Sequence, residues 1–208
     1  MFIAVETSDL VHSTKMSEQT YKQAMDALRT ELQRHNDAFN ARFDIFRGDA
    51  FQVAYSNPIY AFKASLLTRL RLMHCVSKHP IKLTQALVFG HQDKIEPAFS
   101  QSMGEVFVQS GRLLERTNRR DLSLSLPNNM QAISLIQQYL NYYLSGLTQK
   151  QCEVLYYYIA EDFPEQHVIA EQLQMTRQNV AAHLKRGGAD LLKQSILFFE
   201  STIEDYAQ

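Results

Sequence analysis

Two aspartates far apart in the chain, Asp9 and Asp49, and one short run, Arg177-Gln178-Asn179, are the side chains best suited to chemistry. Asp9 follows a short apolar run at residues 2–5, a candidate buried strand. Asp49 sits in Arg47-Gly48-Asp49-Ala50, between two β-rich runs at 43–46 and 51–55 that read as a hairpin. If the first strand lies beside that hairpin, the two carboxylates meet at one end of a sheet. Carboxylates that close repel, and each raises the other's pKa. A divalent cation relieves the repulsion, and Mg²⁺ accepts one or two carboxylates together with phosphate oxygens. Val11, His12, Ser13 and Thr14 lie where the chain leaves the strand, and Gly48 lies in the hairpin. Backbone N–H groups and hydroxyls at such a turn suit a phosphate. Mg²⁺ or Mn²⁺ and a nucleotide are therefore the expected ligands.

The second constellation reads nucleic acid. Arginine pairs with guanine, and asparagine or glutamine with adenine. Arg177, Gln178 and Asn179 stand just after Thr176, a side chain that caps helices, and His183, Lys185 and Arg186 continue toward phosphates. Around them, Ile169, Ala170 and Leu173, then Val180 and Leu184, have the spacing of two short helices crossing steeply, with Met175 at the corner. Between residues 176 and 187 there are three basic and no acidic residues, whereas residues 147–208 hold five basic and nine acidic ones. Positive charge is thus confined to the expected recognition helix. So few cations imply weak, salt-sensitive binding by one copy, so a homodimer on paired half-sites of double-stranded DNA is the expected partner arrangement.

The rest of the sequence supplies the scaffold. The chain has 208 residues, 45% hydrophobic and 21% charged, with a formal net charge of −1. Those fractions are globular and exclude a disordered or collagen-like chain; no global field attracts nucleic acid. Two cysteines, Cys75 and Cys152, outside any C-x-x-C, point to a reduced compartment. There is no basic segment ahead of an apolar run at the N-terminus, and no apolar run approaches the ~18 residues of a membrane span. A cytoplasmic protein away from membranes is expected.

Helical spacing appears over 17–33, capped near Ser17, and after Pro58, where Phe62, Leu66, Leu70 and Met73 form one stripe. A strand is expected over 81–89, a polar loop over 90–102, a helix over 104–116 and an alternating strand over 122–126. That order, β-α-β-β-α-β followed by α and β, is the ferredoxin-like pattern with one more helix and strand. From Pro127 onward everything reads as helix, with Asn128 or Asn129 a cap for a helix over 130–144. The expected organisation is an α+β domain over 1–126, a linker helix over 127–146 and a helical domain over 147–208. Lesser features are His74, Cys75 and His79, whose spacing does not share one helix face. Tyrosines 139, 142, 143 and 156–158 suit packing more than base stacking. An apolar stripe of Leu192, Ile196, Phe199 and Ile203 is either a last packing helix or a dimer contact.

Several motifs resemble known families. D-L-V-H-S-T at 9–14 is similar to the D-I-x-G-S-T segment of class III nucleotidyl cyclases, Gly48-Asp49 to their hairpin, and G-E-V-F-V-Q-S-G-R-L at 104–113 to the opening of their catalytic helix. The chain more closely resembles the SatD family of bacterial proteins, with a G-D-A-F-Q hairpin signature at 48–52, Gly111-Arg112 in the later helix and a C-terminal helix-turn-helix. Residues 168–184 resemble the helix-turn-helix of sigma-factor region 4 and LuxR-type regulators, with Gln174 where glycine is usual. These resemblances imply that Asp9 and Asp49 are metal aspartates and that Arg112 contacts phosphate in the transition state. The base-reading lysine position is Ile45 and the catalytic asparagine position is Val108, and neither side chain can hydrogen-bond a nucleotide. The expected function is a DNA-binding regulator whose cyclase-like half binds a nucleotide or metal, or dimerises. The alternatives are a metal-dependent nucleotide-processing enzyme using Asp9 and Asp49, and an interaction module without a working site.

Overall fold

The computed structural model describes residues 1–77, 79–92, 104–127 and 130–207. The expected loop over 90–102 and the caps Asn128 and Asn129 lie largely or wholly outside them. The chain forms β1 (Phe2–Leu10), a 3-10 turn (Ser13–Lys15), α1 (Glu18–Phe39), β2 (Ala41–Phe46), β3 (Ala50–Tyr55), a second 3-10 turn (Pro58–Tyr60), α2 (Ala61–Cys75), β4 (Leu83–His91), α3 (Glu105–Arg116) and β5 (Leu122–Ser125). Five helices follow: α4 (Met130–Ser145), α5 (Gln149–Ala160), α6 (Gln166–Gln172), α7 (Arg177–Arg186) and α8 (Ala189–Ala207). The sheet order is β2-β3-β1-β4-β5, with the first four strands antiparallel and β5 parallel to β4. This is an α+β fold with ferredoxin-like strand order, followed by an all-helical segment.

β1 is longer than its apolar run. It continues through Glu6, Thr7 and Ser8, all buried. Burial of such groups is tolerable only with partners. On the α2 side, Glu6 accepts hydrogen bonds from Ser8 (2.7 Å) and Gln85 (2.8 Å), and Gln85 accepts from buried Arg69 (2.6 Å). Burial still holds the Glu6 carboxyl above its ordinary pKa. On the other side, Gln52 donates to Thr7 (2.9 Å) and to Ser110 of α3 (3.2 Å). Alternation then explains the rest: Ile3 and Val5 face α3, while Phe2, Ala4 and Leu10 face α1 and α2.

α2 is buried all round, from Ala61 to Leu70, rather than along the expected single stripe. One face meets the sheet and the others meet α1, α5 and α8. Of the two readings of the α8 stripe, the packing helix holds: Leu192, Ile196, Phe199 and Ile203 are 0–2% exposed, and the Phe199 ring lies 4.1 Å from Phe62. One hydrophobic core therefore runs from the sheet through α2 into α5–α8. Polar bonds cross the same junction. Tyr156 of α5 donates to Glu31 (2.6 Å) and accepts from Arg34 (2.5 Å) on α1, and Gln149 donates to the carbonyl of Val76 (2.8 Å). Lys63 pairs with Asp162 at 3.0 Å. Buried His35 bonds Thr68 at 2.9 Å; burial lowers its pKa to about 3, so its 3.9 Å approach to Glu31 is not an ion pair.

α4 closes the open edge of the sheet. Asn141 accepts from Leu122 N–H (2.8 Å) and donates to its carbonyl (3.0 Å), while Gln137 accepts from Leu124 N–H (2.8 Å). These side-chain amides act as a substitute strand beside β5. No helix among the described residues is long and apolar enough to cross a membrane.

Candidate functional site

Asp9 lies in the last turn of pleat of β1 rather than beyond it, with its Cα opposite Ala50 on β3 and Thr84 on β4. Asp49 precedes β3. Arg47 (φ 53°) and Gly48 (φ 87°) both take left-handed backbone, which turns the chain tightly and delivers Asp49 to the end of β1. Its carbonyl accepts from Leu10 N–H at 3.3 Å. Tyr21 of α1 donates to the Gly48 carbonyl at 2.6 Å and fixes the hairpin tip. The two aspartates thus share one end of the sheet, as their spacing predicts.

Asp9 is held above the ordinary carboxylate pKa, first by burial and then by the charge of Asp49; Arg119 and the Leu10 N–H oppose this. Ser13 donates its hydroxyl to Asp49. The Val11 N–H is committed to the Lys82 carbonyl at 2.9 Å, so of the expected phosphate group it is the main-chain donor already in use. His12 is left-handed (φ 62°) and Thr14 is exposed. Ile45 packs against the core, in line with a hairpin that offers no base-reading group there.

A cleft of about 580 Å³ opens over the pair, lined among others by Asp9, Asp49, Arg47, Gln52, Glu115 and Arg119. Arg112 does not line it. That residue is exposed on α3, one position past Gly111, which does line it; Val108, also exposed, is one helical turn before Arg112. The arginines at the cleft are Arg47 and Arg119, and Arg119 also lies 3.3 Å from His12 Nδ1. Beyond the Val11–His12 corner is a second cleft of about 390 Å³, whose lining includes His12, Lys15, His79, Lys82 and Arg120 and no carboxylate. Three cations around His12, Arg119 first, lower its pKa. One side of the turn is therefore acidic and the other basic.

The residues fit a divalent cation only in part. No group of three or more His, Cys, Asp or Glu side chains gathers among the described residues, so there is no all-protein cage. Two neighbouring carboxylates, with Asp9 held above its ordinary pKa, suit a cation that brings its own oxygen ligands, as Mg²⁺ does with water or phosphate. His74 bonds the Leu70 carbonyl and Cys75 donates to the Leu72 carbonyl, and burial lowers His74 to about 4 and raises Cys75 to about 11.

The second site is built on α5–α8. Thr148 and Gln151 form a reciprocal capping box at the start of α5. After α6, Gln174 adopts φ 52°, the left-handed conformation usually left to glycine, and Met175 N–H bonds the Ala170 carbonyl at 2.9 Å. Thr176 caps α7, accepting from Asn179 N–H at 3.2 Å. Ile169, Ala170, Val180 and Leu184 are buried where α6 and α7 cross. This is the expected helix-turn-helix, including the Thr176 cap.

The open side of α7 carries Gln178, Asn179, Lys185 and Arg186, all exposed. Spacing of 100° per residue puts Gln178, Ala182 and Arg186 opposite the buried Val180 and Leu184. Arg177 is exposed at the flank, lining a cleft of about 880 Å³ with Glu165 and Asp190. His183 departs from the expected row: it is half-buried, and burial with Arg186 and Lys150 lowers its pKa. Of the tyrosines, Tyr156 is buried and bonded to Glu31, and Tyr143 donates to the Gly187 carbonyl just past α7. Tyr139 and Tyr142 stay exposed.

Residues 130–200 match the model of the UPF0122 family, described as helix-turn-helix protein, YlxM / p13 like. That span covers α4 to the start of the last turns of α8 and includes both helices of the motif. No curated protein matches the chain. Among solved structures, the chain is similar to the adenylyl cyclase CyaB from P. aeruginosa, at 13% identity and TM-score 0.47, over 66% of this chain and 81% of that one. It is also similar to the guanylate cyclase domain of RhGC from Catenaria anguillulae in complex with GTP, at 13% identity and TM-score 0.46, over 59% and 77%. The guanylyl cyclase Cya2 gives 14% identity and TM-score 0.45, over 60% and 74%. At these identities the likeness concerns the fold alone.

Residues that sequence reading did not single out are Thr84, Glu115 and the lysines of the basic cleft; Arg119 stood out only as one of the arginines that follow Arg112, which suit a phosphate or an acidic neighbour. Only the sheet order brings 84, 115 and 119 next to residue 9. Gln52 was visible as the last letter of the hairpin signature, without a role; it ties the cleft floor to α3.

Proposed function

We propose that this protein is a DNA-binding regulator: α7 enters a groove of double-stranded DNA, and the cleft over Asp9 and Asp49 receives a phosphorylated ligand, a nucleotide with Mg²⁺ or Mn²⁺, that sets the protein's DNA affinity. The observation that carries the DNA reading is the α6–α7 pair, with α7 capped by Thr176, which buries its apolar side and leaves Gln178, Asn179, Lys185 and Arg186 open with no acidic residue on α7. Gln178 and Asn179 are base-reading types, and Lys185 and Arg186 are phosphate-binding types. Arg177 reaches DNA only from the flank, and Thr176 serves the fold of α7. His183, being half-buried, supports α7 rather than reading bases. The SatD resemblance, which unites a degenerate cyclase-like half with a helix-turn-helix, agrees with this assignment. So few cations favour two copies on paired half-sites.

A second reading keeps the aspartate cleft as an active site of a nucleotide-processing enzyme. Its support is the paired carboxylates beside a carboxylate-free basic cleft. Against the usual cyclase reaction stand Ile45 and Val108, and Arg112 lies outside the cleft. In the regulator reading, Asp9→Ala abolishes ligand-dependent changes in DNA binding and no product forms from any nucleoside triphosphate. Turnover lost in Asp49→Ala would establish the enzyme instead. For the DNA face, Gln178→Ala with Arg186→Ala should weaken binding to a selected sequence by about 1–3 kcal/mol for a lost base contact and flatten the salt slope. Unchanged binding would remove α7 from the interface.

A further inference from the structure

The helix that joins the two halves carries an apolar face that nothing among the described residues covers. α4 has 16 residues and no Asp, Glu, Lys or Arg among them. Its inner side is spent on Ile133, Leu140 and Leu144 in the core and on Gln137 and Asn141 at the β5 edge. Its outer side shows Leu135 (55% exposed), Tyr139 (69%) and Tyr142 (82%), at the i, i+4, i+7 spacing of one helical face. Leu191 at the start of α8 (68% exposed) continues that face, and between the helices lies an apolar groove of about 400 Å³ floored by Leu140 and Leu192.

We propose that this α4–α8 face is the surface on which a second copy of the chain docks, related by a two-fold axis. Three observations select that occupant. A two-fold interface brings a patch against itself, so charges near the axis would meet their own kind; α4 has none. Tyrosine and leucine dominate the patch, and aromatic side chains are what interface centres gather. The area is also sufficient. With about 150–250 Å² for a buried tyrosine, the four side chains expose roughly 500 Å² per copy, or about 1,000 Å² for the pair. That reaches the lower bound of a specific interface.

The position gives the pairing a consequence for α7. Tyr143 lies in the groove and its hydroxyl bonds the Gly187 carbonyl at the end of α7. Two copies joined here present two recognition helices held by one rigid seam, and the α8 stripe once available for dimerisation is occupied inside each copy. The inference deepens the paired-half-site reading above, but dimerisation is measured without DNA, so the two fail separately.

Sedimentation of the full chain over a micromolar concentration series is the test, on wild type and on Tyr139→Glu with Tyr142→Glu. Both side chains project into solvent, so the variant keeps its far-UV spectrum and cooperative melt. Wild type should be a dimer, and the variant's dissociation constant should rise at least about 30-fold. A monomeric wild type, or a variant that stays dimeric as tightly as wild type, overturns the proposal. A second measurement is independent of stability. Tyr139→Cys should form an oxidant-dependent covalent dimer, because Cys152 is buried and Cys75 half-buried, whereas Ser201→Cys on the exposed far side of α8 should not. No cross-link from Tyr139→Cys in a sample that sediments as a dimer places the interface elsewhere.

Discussion

Asp9 sits in the chain at some energetic cost, because burial and the charge of Asp49 both resist its ionisation. An acid whose folded pKa is raised binds its proton more tightly when folded. The penalty is therefore absent at a pH below the ordinary carboxylate range and full once pH exceeds the folded pKa. In metal-free buffer near neutral pH, Asp9→Asn should raise Tm, and the gain should shrink as pH falls into the carboxylate range. A variant less stable than wild type at every pH would mean that Asp9 holds the strand end together and is not a strained ligand. The aspartate pair was legible because β-α-β-β order places a hairpin beside the first strand. The approach of Arg119 to Asp9 was not, since it depends on β5 lying parallel to β4. Glu6 escaped for a different reason: a polar residue reads as the end of a strand unless Gln85 and Arg69, some 80 and 60 positions away, are known to receive it.

At the level of elements, the caps were the most readable features, as Ser17 and Thr176 each accept from the backbone N–H three residues on. Boundaries were less so: α1 runs to Phe39 rather than 33 because Glu31 and His35 are buried in partners that a polar pair does not announce. That burial has a measurable consequence. His35 is neutral when folded, with a pKa near 3, and unfolded histidine titrates near 6.5. The unfolded chain takes up the proton first, so stability is full above pH ~6.5 and falls by as much as about 1.4 kcal/mol per pH unit toward pH 3. His74, lowered to about 4, acts in the same direction, while Glu31, raised by burial, acts in the opposite one nearer the carboxylate range. His35→Gln should flatten the pH dependence of the denaturation midpoint between pH 6.5 and 5. An unaltered slope would exclude His35 from acid unfolding.

Across the whole molecule, Pro127 marks a change from mixed to helical elements, and the core continues through it. α2 explains why: its residues 61–70 are buried on all sides, which a stripe of Phe62, Leu66, Leu70 and Met73 does not reveal, and α5 and α8 complete its cover. Unfolding followed by far-UV and near-UV circular dichroism should therefore give coincident transitions with one midpoint. Two separated transitions would show that α5–α8 is an independent unit. A chain of contacts also ties the clefts to α7. Arg119 and Arg120 at the clefts lead directly into β5, β5 is held by Asn141 and Gln137 of α4, and Tyr143 of α4 holds the end of α7. The central claim is that this end of the molecule reads DNA, and selection from a random double-stranded pool by the full chain tests it most directly. The account predicts enrichment of one motif in two similar halves, with binding that weakens steeply as salt rises. A pool that stays random through the selection, at low and at moderate salt alike, would contradict it.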